Sequence, residues 1–293
     1  MLNNSYSLDA ITVHKVDIMD VPVDALHALS VSVGWSHRAD DWRFLLEHGH
    51  GFAATDESGR VHATAMWFPF GEDFATIGMV ITSPRLQAKG GGGWLMRHVL
   101  ARTEGRALGL HSTRQSHQLY LSLGFKDEVI VNRHEGVAAP SPEVPLPAGG
   151  EVRQLQSSDT ADIVALDRRA TGIDRAQFLT SLFAGSHGTV LMRGGRLEAY
   201  ALERKFARGR VVGPVVAGSG EDAAAVVQPL LAALAGSVVR LDIGNVEDEL
   251  SRLVSYCGLP VVDTVTRMSL RRPWPLAAAP GPALYALATH ATG

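Results

Sequence analysis

The segment TIGMVIT, Thr76–Thr82, returns in altered form as VVGPVVA, Val211–Ala217, with Gly213 standing 135 positions after Gly78. LYLSLGF, Leu119–Phe125, likewise returns as LVSYCGL, Leu253–Leu259, with Gly258 134 positions after Gly124. One pair is strand-like and the other closes a helix, so two nearly equal offsets point to one duplication of a mixed unit. A duplicated unit folds as two copies of one architecture, which restricts the chain more than its length does. With 293 residues and 46 % hydrophobic content, each copy can bury a core of its own.

Periodicity outlines the unit. In the first copy a strand over Ile11–Val16 precedes helices over Val21–Trp35 and Asp40–His48. Strands over Gly51–Thr55, Val61–Phe68 and Phe74–Thr82 follow, joined by the turn signals DESG and FGED. A helix led by glycines, a strand at Leu108–His111, a helix through Tyr120 and a strand from Phe125 to His134 complete it. The stretch VAAPSPEVPLPAGG, Val137–Gly150, has no periodicity and the composition of an extended linker. Beyond it the order repeats, from a strand at Val152–Leu155 to a strand at Val261–Leu270. The expected fold class is therefore α/β, in two tandem domains over 1–136 and 151–272, each a mixed sheet flanked by helices. The closing stretch 273–293, PWPLAAAPGPALYALATHATG, is too apolar to stand free in water and is expected to dock on the body through Ala283–Ala288.

Charge and composition remove several function classes. The formal net charge is −3 and no lysine- or arginine-rich run occurs, so neither nucleic acid nor an anionic membrane surface is an expected partner. No apolar run reaches the roughly 20 residues of a membrane span, and MLNNSYSLDAITVH carries no signal-peptide pattern. The single cysteine, Cys257, leaves no internal disulfide, and the cytoplasm is the expected compartment. His48 and His50 are closely spaced but lack a nearby ligand set, so no metal is expected.

Gly90, Gly91, Gly92 and Gly93 stand where a helix begins, directly before the apolar run Trp94, Leu95, Met96, Val99 and Leu100. Glycines there cost backbone entropy but let an anion approach the unpaired N–H groups of the helix start. Neither common nucleotide loop fits. A Walker loop needs its lysine after the glycines, whereas Lys89 precedes them. In the dinucleotide pattern G-x-G-x-x-G the third glycine position falls on Leu95 or Met96.

The run Gln87-Ala88-Lys89-Gly90-Gly91-Gly92 instead resembles the Q/R-x-x-G-x-G/A motif of the GNAT superfamily of N-acetyltransferases, after a strand and opening a helix. LYLSLGF resembles the same superfamily's L-Y-x-x-L-G-F element. VGWSHRADDW at Val33–Trp42, IGMVITSP at Ile77–Pro84 and VVGPVVA resemble its tandem-domain branch, in which a second acetyltransferase-like domain follows the first. The resemblance covers nearly the whole chain. It implies that each copy holds a centrally splayed sheet.

The resemblance also implies a site. N–H groups from Ala88 through Gly93 would bind the pyrophosphate of acetyl-CoA, with Gln87 and Lys89 in the same loop. Val80, Ile81 and Thr82 would pair with the pantetheine arm, and an N–H near Val80–Ile81 would polarise the thioester. Tyr120 would act as general acid. Ser116 would contact the cosubstrate, and Thr113 stands where many relatives have asparagine. For the base, His111, or Glu72 and Asp73 through water, compete with plain solvent. Trp35, Asp41 and Trp42 would shape the acceptor site or anchor the core. Asp167 and Arg175 resemble the D…GxDR pattern of the branch, as an ion pair or a substrate contact. The carboxylate of Gly293 could enter the cleft as a base, as in the N-myristoyltransferases. In the second copy Asp222, Ala225 and Val227 stand opposite Gln87, Gly90 and Gly92, and Val254 opposite Tyr120, so that copy is expected to be degenerate. The function implied is acetyl transfer to a primary amine of a small metabolite. A protein or peptide amine, or a non-catalytic acetyl-CoA sensor, are the alternatives.

Overall fold

A computed structural model describes residues 2–8, 11–84, 86–87, 90–275 and 281–293. In the first copy a hairpin of β1 (Ser5–Leu8) and β2 (Ile11–Asp17) precedes α1 (Val23–Ser32), α2 (Ala39–His48), β3 (His50–Thr55), β4 (Val61–Phe70) and β5 (Phe74–Thr82). Then come α3 (Gly91–Arg102), β6 (Ala107–Thr113), α4 (His117–Ser122) and β7 (Lys126–Val137). The second copy runs β8 (Gly150–Gln154), α5 (Thr160–Thr171), α6 (Ala176–Phe183), β9 (Ser186–Arg193), β10 (Arg196–Phe206), β11 (Gly209–Ala217) and α7 (Gly220–Ala233). It closes with β12 (Val238–Gly244), α8 (Glu249–Tyr256) and β13 (Val261–Leu270), and a last strand, β14 (Ala283–Ala286), follows. No helix among the described residues is long and apolar enough to cross a membrane.

All fourteen strands join one sheet in the order β1-β2-β3-β4-β5-β6-β13-β7-β12-β14-β11-β10-β9-β8. The centre of that order is an exchange. β13, the last strand of the second copy, lies between β6 and β7 of the first, and β7 lies between β13 and β12. Each copy's sheet is thus completed by a strand of the other. The boundaries read from the sequence give the order of the copies, but neither copy's sheet is closed by its own strands.

Helices cover both faces. On one face α1 and α2 share a core with α5 and α6, through Leu29, Trp42, Met79, Ile81, Ile163 and Phe178. The opposite face of the first copy packs Trp94, Leu95, Val99, Tyr120 and Phe125 from α3, α4 and the strand that follows. The hairpin strand β1, absent from the periodicity reading, is held by this face: Tyr6 stacks on Trp94, whose Nε1 donates to Asn3 O at 3.0 Å.

Both copies part their central parallel strands. β5 and β6 pair from Phe74–Ala107 to Ile77–Leu110 and then separate. β11 and β12 pair only at Arg210–Val239 and Val211–Arg240. There the copies diverge. β14 enters the second opening and pairs with β11 at Val215, Val216 and Ala217 and with β12 at Ile243. Leu287 continues along the floor, donating its N–H to Asp242 O at 2.9 Å. A side chain on Gly213 would overlap the Leu287 carbonyl oxygen, and one on the equivalent Gly78 would lie 2.5 Å from the Ala291 methyl. The duplicated glycine is the space through which 287–291 passes.

Gly213→Ala is therefore expected to destabilise the protein by about 1–3 kcal/mol, as overpacking against backbone does. Urea unfolding checks this; an unchanged midpoint would show that the contact is not tight.

Candidate active site

The opening in the first copy begins at a bulge. β5 pairs with β4 as Ala63–Thr82 and Thr64–Ile81, then resumes one residue out of step at Met66–Gly78. Met79 and Val80 therefore share one partner, and Met79 has φ +50. Thr64 Oγ1 donates to Met79 O at 2.7 Å, fixing that carbonyl toward β4. In a trans peptide N–H and C=O point oppositely, so the Val80 N–H is directed away from β4, into the opening. Across it, His111, Ser112 and Thr113 of β6 pair with β13 rather than with β5. The segment Val80–Thr82 thus faces a slot with backbone groups available on that side.

The slot leads to the glycine-led helix. Ser83 N donates to His62 O at 2.7 Å, and Leu86 and Gln87 turn back onto Ser83 O. Gln87 Nε2 donates to Thr82 O at 3.0 Å, so this side chain shapes the loop. Ala88 and Lys89 lie outside the described residues. Gly90 has φ +84, a left-handed conformation that suits glycine, and its carbonyl accepts the first helical bond from Trp94. No side chain caps this start and no acidic residue lies in its first turn. Ser83 Oγ nearby is buried without a partner among the described residues. The corresponding start of α7 is the reverse: Ser219 caps Asp222 N at 3.1 Å, and Glu221 and Asp222 place two carboxylates there. Among the described residues one helix start is left without a cap, whereas the other is already occupied by a hydroxyl cap and by carboxylates, Asp222 being paired with Arg193 at 2.8 Å.

Tyr120 sits one turn into α4, buried against Phe125 with its ring 5.9 Å away. Burial pushes its phenol up to about 12, against a smaller opposing pull from the Ser116 hydroxyl. Ser116 Oγ is 3.0 Å from Thr113 Oγ1, so both hydroxyls lie in one network beside the phenol. His111 is different from the expected base. Its Nδ1 donates to His290 O at 3.0 Å, its Nε2 is buried without a partner among the described residues, and burial pushes it down to about 3. A ring that resists protonation to that degree takes little from an alkylammonium near 10.4.

A family model described as "Acetyltransferase (GNAT) family" matches residues 23–125, and one described as "Acetyltransferase (GNAT) domain" matches 163–278. The chain belongs to the GNAT acetyltransferases, with two such domains in tandem. An uncharacterised N-acetyltransferase of Bacillus subtilis, YitH, is 27 % identical over 225 residues, spanning 75 % of this chain and 78 % of its own. A Pyrococcus horikoshii protein assigned as an acetyltransferase superposes with TM-score 0.77 at 18 % identity, covering 100 % of this chain and 99 % of its own. A tandem GNAT protein from the clavulanic acid biosynthesis pathway gives TM-score 0.64 at 14 % identity, over 88 % and 98 % of the two chains.

On the acceptor side of this GNAT fold the expected residues divide. Trp42 is fully buried and donates Nε1 to Ser30 Oγ at 3.2 Å, so it anchors the core and does not reach an acceptor. Asp41 accepts from Arg38 Nη2 at 2.7 Å, Arg38 N at 2.8 Å and Ala207 N at 3.1 Å, tying the α1–α2 loop to the second copy. Burial opposes its ionisation, but these donors outweigh that and hold the carboxyl below its usual value. Trp35 alone of the three stays half-buried, 5.6 Å from the His37 ring. Glu72 and Asp73 are exposed in the turn before β5, away from the bulge at its far end.

The segment 287–293 supplies groups that sequence reasoning missed. Thr76 Oγ1 donates to Ala291 O at 2.7 Å, which sets the segment beside Gly78 and the bulge. His290 Nε2 lies 3.1 Å from Asp242 Oδ1, with Arg240 beside both ring nitrogens. Burial disfavours the Asp242 carboxylate, yet Arg240 and His290 hold it well below the usual range. Asp242 on β12 faces Arg133 as His111 on β6 faces Arg267, so His290 bridges matching positions of the two copies. Among the described residues, no group of three or more His, Cys, Asp or Glu could hold a metal ion.

Asp167 and Arg175 form a wholly buried bidentate pair at 2.6 and 2.9 Å, joined by Tyr200 Oη at 2.7 Å. Arg175 Nη1 donates to Gly293 O at 2.6 Å. An oxygen held by a guanidinium is a poor proton acceptor, so Gly293 acts here as an anchor point. Asp167→Ala, which strands Arg175 without its partner, is expected to cost about 3–5 kcal/mol of stability in denaturant unfolding. A variant as stable as the parent would return the pair to substrate binding.

Proposed function

We propose that the first copy binds acetyl-CoA and transfers its acetyl group to the primary amine of a small metabolite, while the second copy walls the acceptor side. The observation that carries this reading is the contrast between the copies. Only the first combines a slot beside Val80–Thr82 with an uncapped, carboxylate-free helix start at Gly90–Gly93. Acetyl-CoA supplies the activated acetyl thioester.

The residues divide the work as follows. N–H groups of Gly91, Gly92 and Gly93 receive the diphosphate, with Gln87 holding the loop and Ala88 and Lys89 completing it. Val80, Ile81 and Thr82 offer backbone groups to the amides of the pantetheine arm, as a neighbouring strand would. The Val80 N–H, held in direction by Thr64, donates to the carbonyl oxygen on which negative charge develops. Thr113 and Ser116 line the cosubstrate on the other wall. Tyr120, protonated at any physiological pH, gives its proton to the departing sulfur. Solvent takes the proton from the amine, since His111 is held neutral. Trp35, His37 and His290 crowd the acceptor side, which suits a small amine better than an extended peptide.

Gly91→Glu brings to α3 the charge that α7 already carries, at a position where an added Cβ meets nothing closer than 3.7 Å. It is expected to weaken coenzyme A binding by roughly tenfold or more in calorimetry while the fold persists. Unchanged affinity would remove the helix start from the site. Tyr120→Phe should lower kcat by roughly 10²–10⁴-fold with coenzyme A affinity preserved. Turnover at the parental rate would exclude the phenol as the acid.

A further inference from the structure

Three guanidinium groups gather where the α1–α2 loop of the first copy meets β10 and β12 of the second. Arg38 pairs with Asp41 at 2.7 Å and Arg240 with Asp242 at 2.7 Å. Arg204 has no carboxylate within 4 Å among the described residues, although it is only 8 % exposed. Its Nη2 donates to Ala288 O at 3.0 Å and its Nη1 reaches Lys205 O at 3.5 Å. The remaining donor, Nε, is buried without a partner among the described residues. The guanidinium lies 4.9 Å from the Phe206 ring, and the His37 ring meets the same phenylalanine edge-on at 5.5 Å. His37 Nδ1 is likewise buried with no partner among the described residues. Two polar atoms without partners among the described residues thus flank one aromatic ring, and one buried cation has no carboxylate of its own, Asp41 and Asp242 acting on it from beyond ion-pair distance.

A buried charge persists where something compensates it, and a buried N–H where something accepts it. We propose that Arg204 and His37 form the anchor for a carboxylate carried by the acceptor, so that the substrate is an amine bearing an acid group. This rests on the acetyl-transfer reading and sharpens it. Position supports it: Ala288, which Arg204 holds, lies three residues before Ala291, which packs on Gly78 beside the bulge. Charge supports it too, since three guanidinium groups face two carboxylates and one monoanion restores balance. The Arg204 Nε–H and the His37 tautomer protonated at Nδ1 each donate to one carboxylate oxygen. Burial works in the same direction, lowering Arg204 to about 10 and His37 to about 4, and an anion at this point reverses both shifts. A surface depression of about 420 Å³ nearby is lined by Arg38, Lys205, Arg208 and Arg210, of which Arg38 and Arg210 are already paired with Asp41 and Glu203.

The test compares matched acceptors with the full chain and acetyl-CoA. Glycine, β-alanine, 4-aminobutyrate and 6-aminohexanoate are each set against their primary amides, which keep the amine and remove the charge. At least one acid is expected to exceed its amide tenfold or more in kcat/KM, chiefly through KM. Arg204→Met is expected to bring that ratio near one, and Arg204→Lys, which keeps the charge should the methionine variant fail to fold, to lower it. Amides as good as their acids in the parent, or a ratio unmoved in the folded variants, would overturn the proposal while leaving acetyl transfer intact. Where no panel member is turned over, the Nε–H resonance of Arg204 decides. A shift with 4-aminobutyrate and none with its amide supports the site; no shift with any acid overturns it.

Discussion

Two parallel strands that part leave two rows of backbone groups in want of partners, and the copies of this chain meet that demand in opposite ways. In the second copy the chain answers it from within: β14 fills the gap between β11 and β12. In the first copy the gap between β5 and β6 faces Val80–Thr82, with the Met79 carbonyl turned away by Thr64. The same contrast appears at the helix starts, one made of glycines and the other capped by Ser219 and charged by Glu221 and Asp222. One copy has no strand in its opening among the described residues. The other has taken a piece of its own chain in that place.

The segment that fills the second opening also shapes the first. Past Leu287 it crosses beside the bulge, held by Thr76, by His111 and by the buried Asp167–Arg175 pair. Its passage needs glycine at both Gly78 and Gly213. The exchange of β7 and β13 makes the geometry unitary, because each sheet is completed by its neighbour. Trp35 and His37 of the first copy consequently lie beside Phe206 and Arg204 of the second.

Much of this is written in local pattern. β-Branched alternation marks Phe74–Thr82 and Val261–Leu270 to the residue, and the glycine run marks the start of α3. What local pattern does not carry is pairing. Ser5–Leu8 is a strand because Trp94 and Asn3 hold it, and nothing in SYSL announces that. The alanine-rich Ala283–Ala286 has little strand preference of its own; the unpaired edges of β11 and β12 impose the conformation. Trp35 and Trp42 are equivalent on paper, and only packing shows that Trp42 belongs to the core. Arg204 and Asp242 sit within buried strands and meet groups distant in sequence, Arg204 the Ala288 carbonyl and Asp242 the His290 ring, the latter beside its near neighbour Arg240.

The most direct test of the account is the stoichiometry of coenzyme A binding to the intact chain by calorimetry. Asymmetric copies predict one molecule per chain, with the β11–β12 opening already filled by β14. Binding of two equivalent molecules, or of none, would contradict it.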